Sequence, residues 1–147
     1  MLKCHRLSSV LEVFDYWEDF KLGFIATKNK EKLETMLKIL CTLVSDVNKG
    51  FVAVVIKDGK VEGFGIMENV TPIFANYSTF LCRSFYHKSG NLASTLFLME
   101  FFECWAREHN IKSYSVTTER ESGAAIRCFK SEKYGFRRSC TQFVKSL

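Results

Sequence analysis

The sequence has few of the features that mark disulfide frameworks, metal sites or membrane spans. Its six cysteines are widely spaced, and none forms a C-x-x-C pair. None of the three histidines lies at zinc spacing from a cysteine, so a structural metal has little support. No apolar run approaches the roughly 20 residues that cross a bilayer. These absences predict a cytoplasmic protein with free thiols, no metal and no membrane partner.

Linkers and strong charge are also scarce. Proline occurs once, at Pro72, and no repeat or low-complexity stretch divides the chain, so residues 1-147 are predicted to form a single domain. The formal charge of +5 favours an anionic partner but does not choose between a nucleotide, an acidic protein and a nucleic acid. Basic residues gather only near the end, at Lys130, Lys133, Arg137 and Arg138, which gives nucleic-acid binding little support.

Hydrophobic periodicity and turn residues predict the elements of the first half of the chain. After a strand at 1–6, Ser8 or Ser9 offers an N-cap for a helix whose apolar positions are Val10, Phe14 and Trp17. A second helix follows from Asn29 to Val47, and the sequence Lys-Asp-Gly-Lys at 57–60 predicts the turn of a β-hairpin.

The second half alternates strands and helices. A strand is predicted at 77–85, a long helix between Asn91 and His109 with Glu100, Glu103, Arg107 and Glu108 exposed, a strand at 112–118, a helix at 122–133 and a closing strand at 136–147. The hairpin and the crossovers together predict an α/β fold of the α+β type. Its central sheet should be mixed, mostly antiparallel and flanked by helices.

The turn before the long helix carries a glycine-containing motif. Lys88-Ser89-Gly90-Asn91-Leu92-Ala93 resembles the Q/R-x-x-G-x-G/A signature of the GNAT (GCN5-related N-acetyltransferase) superfamily. Lys88 replaces Arg or Gln, and Asn91 replaces the middle glycine, although asparagine also tolerates positive φ. Free N–H groups at a helix N-terminus make a receptor for pyrophosphate, and an ordinary capped turn is the alternative interpretation.

A second stretch resembles the family's N-x-x-A-I-x-x-Y-x-x-x-G-F pattern. Ala125, Ile126, Gly135 and Phe136 match it, with a longer spacer before the glycine. Ser122 replaces the asparagine, and Phe129 replaces the tyrosine that commonly protonates the departing thiolate. With the hairpin, the resemblance covers residues 51–147 and identifies the chain as a degenerate member of the superfamily.

The resemblance implies a site for acetyl-coenzyme A (acetyl-CoA), with 88–93, Ser122 and Phe129 holding the coenzyme and the backbone N–H groups of Leu81 and Arg83 polarising the acetyl carbonyl. Glu68 and Glu119 are candidates for the base by position, although solvated surface carboxylates are common. Tyr134 is a conceivable substitute acid; alternatively its ring packs beside Phe136.

The leading hypothesis is therefore a GNAT-type N-acetyltransferase that passes acetyl from acetyl-CoA to an unknown primary amine. The alternative is a non-catalytic GNAT-fold protein with a structural or interaction role, for example one encoded by a phage. A homo-oligomer or larger assembly stays open. Phe80, Phe85 or Phe129 filling the cleft between the central strands would favour the non-catalytic role.

Overall fold

The computed structural model describes residues 1–71, 78–88, 92–116, 124–137 and 145–146. The chain divides into two compact units, Met1–Thr117 and Thr118–Leu147. The described part of the second unit holds α5 (Ala124–Lys130) and a short 3-10 helix at Glu132–Tyr134. The elements of the first unit are, in chain order, β1 (Leu2–Arg6), α1 (Val10–Asp15), α2 (Trp17–Ala26), α3 (Leu33–Ser45), β2 (Gly50–Lys57), β3 (Lys60–Asn69), β4 (Ser78–His87), α4 (Leu92–Glu108) and β5 (Ile111–Val116).

The five described strands lie side by side in chain order, β1-β2-β3-β4-β5. The first three neighbouring pairs are antiparallel, and β4 pairs with β5 in parallel. A parallel pair needs a crossover connection, which α4 supplies. The predicted class is confirmed: an α+β fold with a mixed, mostly antiparallel sheet flanked by helices.

The hairpin of β2 and β3 forms where the sequence predicts it. Asp58 and Gly59 have φ angles of 51° and 76°, and Lys57 lies opposite Lys60. Positive φ at both central residues is the requirement of a tight type I′ turn, which the Asp-Gly pair meets at little cost. The predicted closing strand at 136–147 lies largely outside the described residues.

One face of the sheet packs against α1, α2 and α3. Side chains alternate along β2 and β3, so every second residue points to this face. The buried cluster contains Val52, Val54, Phe64 and Ile66 from the strands and Phe20, Phe24 and Leu40 from the helices. The rings of Phe20 and Phe24 lie 4.9 and 5.4 Å from that of Phe64. This aromatic group fixes the position of α2 on the sheet.

The opposite face packs against α4. Its buried residues are Phe51, Ala53, Val55, Met67, Phe80 and Cys82 from the strands and Leu98, Phe102 and Ala106 from α4. The predicted exposed residues of α4 lie in water, except that Glu103 is half-buried and accepts a hydrogen bond from the Tyr114 hydroxyl at 2.7 Å. No helix in the described ranges is long and apolar enough to span a membrane.

The predicted first helix is in fact two helices, α1 and α2, which meet at Tyr16. Of the two predicted N-caps, Ser8 and Ser9, the structure has Ser9 at this position. The Ser9 hydroxyl accepts a hydrogen bond from the Glu12 N–H at 3.3 Å. Hydrogen bonds from the Ser8 N–H, which has the larger effect, and from the His5 ring stabilise the ionised Glu12 carboxylate. They lower the pKa of Glu12 to about 2. Of the three predicted apolar positions, Trp17 packs against the buried cluster, whereas Val10 and Phe14 are exposed and do not belong to the inner face.

The described cysteines, Cys4, Cys41, Cys82 and Cys104, are all free thiols, which confirms the prediction for these four. Cys140 and the side chain of Cys128 lie outside the described residues. Burial raises the pKa of the Cys4 and Cys82 thiols to about 12. Cys104, by contrast, is exposed on α4.

Among the four described thiols, a small alkylating reagent should therefore modify Cys104 first in the native protein at mildly alkaline pH. Cys4 and Cys82 should react only after unfolding, because thiolate formation and access are both suppressed by burial. Peptide mass spectrometry measures the order, and Cys82 alkylation at the rate of Cys104 in the native state would contradict it. The denatured, unreduced chain should show all six thiols, and four or fewer would overturn the prediction.

Gly23→Ala should lower the free energy of unfolding by about 1–3 kcal/mol through overpacking, although alanine normally favours a helix over glycine by about 1 kcal/mol. The added Cβ would lie 2.6 Å from Cζ of Phe64 and 2.9 Å from Cδ1 of Tyr86. Urea denaturation measures the loss. In a Phe64→Leu background the cost of Gly23→Ala should shrink or reverse; equal costs in both backgrounds would refute the steric cause.

Candidate functional site

Strand β4 contains one residue more than the facing stretch of β3. Met67 lies opposite Cys82 and Ile66 lies opposite Ser84, so Arg83 has no partner in the register. This is a β-bulge, which bends a strand and increases its twist. The bulge lies in the middle of β4, at one of the residues that the resemblance implicated in acetyl binding.

Backbone hydrogen bonds at the two ends of β4 show what the bulge does. The Val70 N–H donates to the Thr79 carbonyl at 3.0 Å, and the Lys88 N–H donates to the Glu62 carbonyl at 2.7 Å. The backbones of Thr79 and Lys88 therefore both face β3, although the two residues are nine positions apart, which is an odd offset. Successive residues of a regular strand face alternate edges. The bulge must therefore reverse the alternation between these two ends.

The reversal directs part of β4 away from β3, to the side on which β5 lies. The described pairing of β4 with β5 ends at Cys82 and Val116, whereas β4 continues to His87. Beyond the bulge, the backbone N–H and C=O groups of Phe85 face this side, past the last described residue of β5. We call these groups of Phe85 the open edge of β4.

The resemblance implicated the backbones of Leu81 and Arg83 instead. Leu81 lies in the paired part of β4, opposite Glu68 on β3 and Ser115 on β5. Arg83 is the bulge residue itself, so the sequence pointed to the correct junction. The open edge of β4 was missed, because the reversal of alternation depends on the register with β3, which no local pattern in the sequence reveals.

Two predicted site residues, Glu68 and Arg83, meet beside the bulge. Arg83 Nε donates a hydrogen bond to Glu68 Oε2 and forms an ion pair with it. About a third of each side chain is accessible, 36% for Arg83 and 32% for Glu68. Because the bulge removes Arg83 from the register, its side chain can reach across to the neighbouring strand. A carboxylate and a guanidinium are thus held next to the last described pair of β4 and β5, Cys82 and Val116.

The end of β4 is tied to the first turns of α4. His87 Nδ1 lies 2.8 Å from the hydroxyl of Thr95, a residue that is only 5% exposed. Leu92 and Ala93 begin α4, and Ser94 is buried beside them. After Leu92, the first turn of α4 therefore carries the small residues Ala93 and Ser94 near the end of β4.

The predicted phosphate loop is described only at its borders. Lys88 is exposed, and its ammonium group lies 3.9 Å from the Asp19 carboxylate of α2. Ser89, Gly90 and Asn91, together with the candidates Glu119 and Ser122, lie outside the described residues.

The second unit contains Phe129 and Tyr134. The rings of Phe129 and Phe136 meet edge to face with centroids 5.0 Å apart. Tyr134 is exposed, and the Lys133 ammonium lies 5.4 Å from its ring centroid. The expectation that Tyr134 packs beside Phe136 is therefore wrong, because Phe129 takes that place. Gly135, between the two aromatic residues, has a φ of 74°.

Two of the three aromatic residues that could have filled the cleft belong to the core under α4. Phe80 is 1% exposed and packs against Phe102 and Trp105. Phe85 packs on the same face, where its ring comes within 2.9 Å of the position that a Cβ on Gly65 would take. The side chain of Phe85 thus turns to α4 while its backbone belongs to the open edge of β4.

A polar cavity of about 350 Å³ opens on the side of Glu68, between α3 and the adjoining ends of β2 and β3. The Asn69 amide donates to the Asn48 carbonyl at 2.7 Å, and the Thr71 N–H donates to Asn69 Oδ1 at 2.9 Å. The charged groups in its wall come from Glu68 and Lys49. The cavity is lined by Thr42, Leu43, Asn48, Lys49, Glu68, Asn69 and Thr71.

Comparison with known proteins shows that solved structures of acetyltransferases share this fold. No protein-family model matches the sequence, and no curated protein matches it. Solved structures do: an aminoglycoside acetyltransferase from an uncultured soil metagenomic sample, in complex with sisomicin, has a TM-score of 0.76 and 14% identity, covering 99% of this chain and 96% of that one. A ribosomal-protein-alanine N-acetyltransferase from Brucella melitensis has a TM-score of 0.70 and 12% identity over 100% and 99% of the two chains.

A GNAT family acetyltransferase from Staphylococcus aureus is also similar, with a TM-score of 0.67 and 14% identity over 99% of this chain and 98% of that one. Nearly full coverage of both chains means that the likeness extends to the whole fold. Identities this low carry the fold and not the acceptor or the catalytic residues. The chain therefore has the fold of the GNAT acetyltransferases, which confirms, at the level of the fold, the resemblance that its two motifs indicated.

Proposed function

We propose that this protein is a GNAT-type N-acetyltransferase that transfers acetyl from acetyl-CoA to a primary amine. The observation that carries the proposal is the bulge at Arg83. It turns the backbone N–H and C=O groups of Phe85 away from β3, past the last described residue of β5 and only a few residues before α4 begins. A strand edge of this kind, close in sequence to a helix N-terminus, suits a long, flexible, anionic ligand.

The residues present fit such a ligand at both ends of the site. The open edge of β4 offers N–H and C=O groups to the amide-bearing arm of the coenzyme, and Ala93 and Ser94 leave the start of α4 uncrowded. Lys88 adds positive charge beside the phosphate loop. Acetyl-CoA, when bound, supplies a thioester that an amine can attack. Ser89, Gly90 and Asn91 as phosphate ligands, Leu81 and Arg83 as acetyl ligands, and Ser122 and Phe129 as coenzyme contacts stay part of the proposal.

Glu68 is our choice for the base, ahead of Glu119 and Tyr134. Its carboxylate lies at the bulge, borders the polar cavity on the α3 side and keeps one third of its surface accessible. The Arg83 guanidinium holds it in position. An amine nitrogen that approaches from the cavity would meet the carboxylate before the thioester, which is the order that proton removal requires.

The names of the structural neighbours support an amine acceptor in general terms. One acts on aminoglycosides and was solved with sisomicin, and another is a ribosomal-protein-alanine N-acetyltransferase. These acceptors differ widely in size, so they support the reaction class and leave the acceptor of this chain unnamed.

A non-catalytic role is the second candidate, and one observation favours it. The ion pair between Arg83 and Glu68 engages the best-placed base, and the phenylalanine at 129 carries no hydroxyl for a departing thiolate. A domain that binds the coenzyme without transfer would serve a structural or interaction role. Binding and turnover must therefore be tested separately.

Acetyl-CoA should raise the melting temperature of the protein. A ligand that binds only the folded chain at a hundredfold excess over Kd adds about 2.7 kcal/mol, which corresponds to several degrees in a domain of this size. Desulfo-coenzyme A should act nearly as well. Lys88→Glu should remove most of the shift, whereas Lys57→Glu, an equal charge change on an exposed residue of β2, should retain it. No shift at millimolar acetyl-CoA would end the enzyme proposal.

Glu68→Gln should lower kcat for amine acetylation by roughly 10²- to 10⁴-fold, the usual contribution of a general base, with little change in the KM for acetyl-CoA. Coenzyme A release in the presence of a panel of primary amines measures the rate. Glu62→Gln on the same strand is the matched control and should keep wild-type kcat. Coenzyme binding without turnover by the wild type would favour the non-catalytic role.

A further inference from the structure

Helices α1 and α2 expose a row of large apolar side chains. Leu11 is 76% exposed, Phe14 56%, Leu22 53% and Ile25 65%. We call these four residues the outer stripe. Single exposed apolar residues are common on protein surfaces, but four on one helical face, two on either side of Glu18, form an apolar strip, and exposed apolar surface of this kind marks interaction sites.

The outer stripe is one continuous face across the junction at Tyr16. Its members follow one another at helical spacing, and the inner face formed by Val13, Phe20 and Phe24 is buried on the opposite side. The Tyr16 N–H donates to the Glu12 carbonyl and the Phe20 N–H donates to the Tyr16 carbonyl, both at 3.1 Å. The inner face keeps its phase through the junction, so the outer stripe does too.

The charges around the outer stripe are arranged by sign. With 3.6 residues per turn, Asp15 falls along one edge of the stripe and Lys21 along the other. Glu18, between Phe14 and Leu22, lies in the middle of the face, and its carboxylate is 2.7 Å from the Lys21 ammonium. The stripe is thus an apolar strip with one acidic edge, one basic edge and a central carboxylate that is paired within the chain.

We infer that a second copy of this chain covers the outer stripe, with the two α1–α2 segments side by side and parallel. If the two-fold axis runs along the helices, the acidic edge of each stripe faces the basic edge of the other copy's stripe. Asp15 then approaches Lys21 of the partner subunit. A two-fold axis across the helices would set like edges against each other. Charge complementarity therefore selects the parallel arrangement.

Other occupants fit the stripe less well. Asp15, Glu18 and Asp19 would be repelled by anionic lipid and by nucleic acid, which attract basic helical faces. The interface uses none of the residues assigned to coenzyme or base, so it stands whether or not the protein transfers acetyl groups.

Sedimentation velocity of the full chain over a range of concentrations tests the inference. The wild type should associate reversibly into dimers. Leu22→Glu and Ile25→Glu should each weaken dimerisation on the order of tenfold or more, as truncating a buried apolar anchor does. Val47→Glu changes a partly exposed apolar residue outside the stripe and should leave dimerisation unchanged. Circular dichroism and thermal melts check that every variant is folded.

Charge variants and a cross-link test the arrangement. Asp15→Lys and Lys21→Asp should each weaken the dimer, and the double variant should recover much of the loss. Glu18→Leu should tighten it by extending the apolar strip. In the parallel arrangement Ile25→Cys should form a disulfide between copies on mild oxidation, at a rate well above that of the native thiols in the wild type.

Three results would overturn the inference. The wild type could sediment as a monomer at every concentration, whether or not it then pelleted with anionic vesicles. Leu22→Glu and Ile25→Glu could retain the dimer of the wild type, so that another surface would hold the copies together. A dimer in which Ile25→Cys fails to cross-link but Ile25→Cys combined with Leu11→Cys succeeds would be antiparallel.

Discussion

The insertion of Arg83 into β4 is the constraint on which the rest of the candidate site depends. Without it, Phe85 and His87 would face β3, and the side of β4 beyond Cys82 would offer a different set of backbone groups. With it, the first half of β4 pairs with β5, and in the second half the backbone groups of Phe85 face away from β3, past the last described residue of β5.

The two faces of the sheet keep this strand in place by different means. On one face, Phe64 of β3 is clamped between aromatic rings of α2, and on the other, Phe80 is buried under α4. Gly65 lets Leu98 and Phe85 approach the sheet closely, since a Cβ there would lie 2.9 Å from the Phe85 ring. Close packing on both faces limits how far β4 can move, and a fixed strand is what preorganised backbone donors require.

The parts of the fold that local chemistry determines were predictable from the sequence. The Asp58-Gly59 turn, the Ser9 cap and the long helix before β5 each depend on residues close together in the chain. The break at Tyr16 and the exposure of Phe14 were not, because the inner faces of α1 and α2 are chosen by contacts with distant residues: α1 packs against α3, and α2 packs against Phe64. The pairing of Glu68 with Arg83 was equally hidden, since it follows from a register between two strands. The sequence identified Glu68 and Arg83 as candidate site residues but did not predict that their side chains are in contact.

The most direct test of this account is the response of individual backbone amides to desulfo-coenzyme A in an isotope-labelled sample. If the bulge opens β4 to the coenzyme, the amide resonances of Ser84 to His87 and of Leu92 to Thr95 should move on titration, while those of β1 and β2 stay in place. Saturating desulfo-coenzyme A that leaves the amides of β4 and α4 unmoved, or that shifts only residues around the polar cavity such as Asn48, would contradict the claim that the open edge of β4 is the donor site.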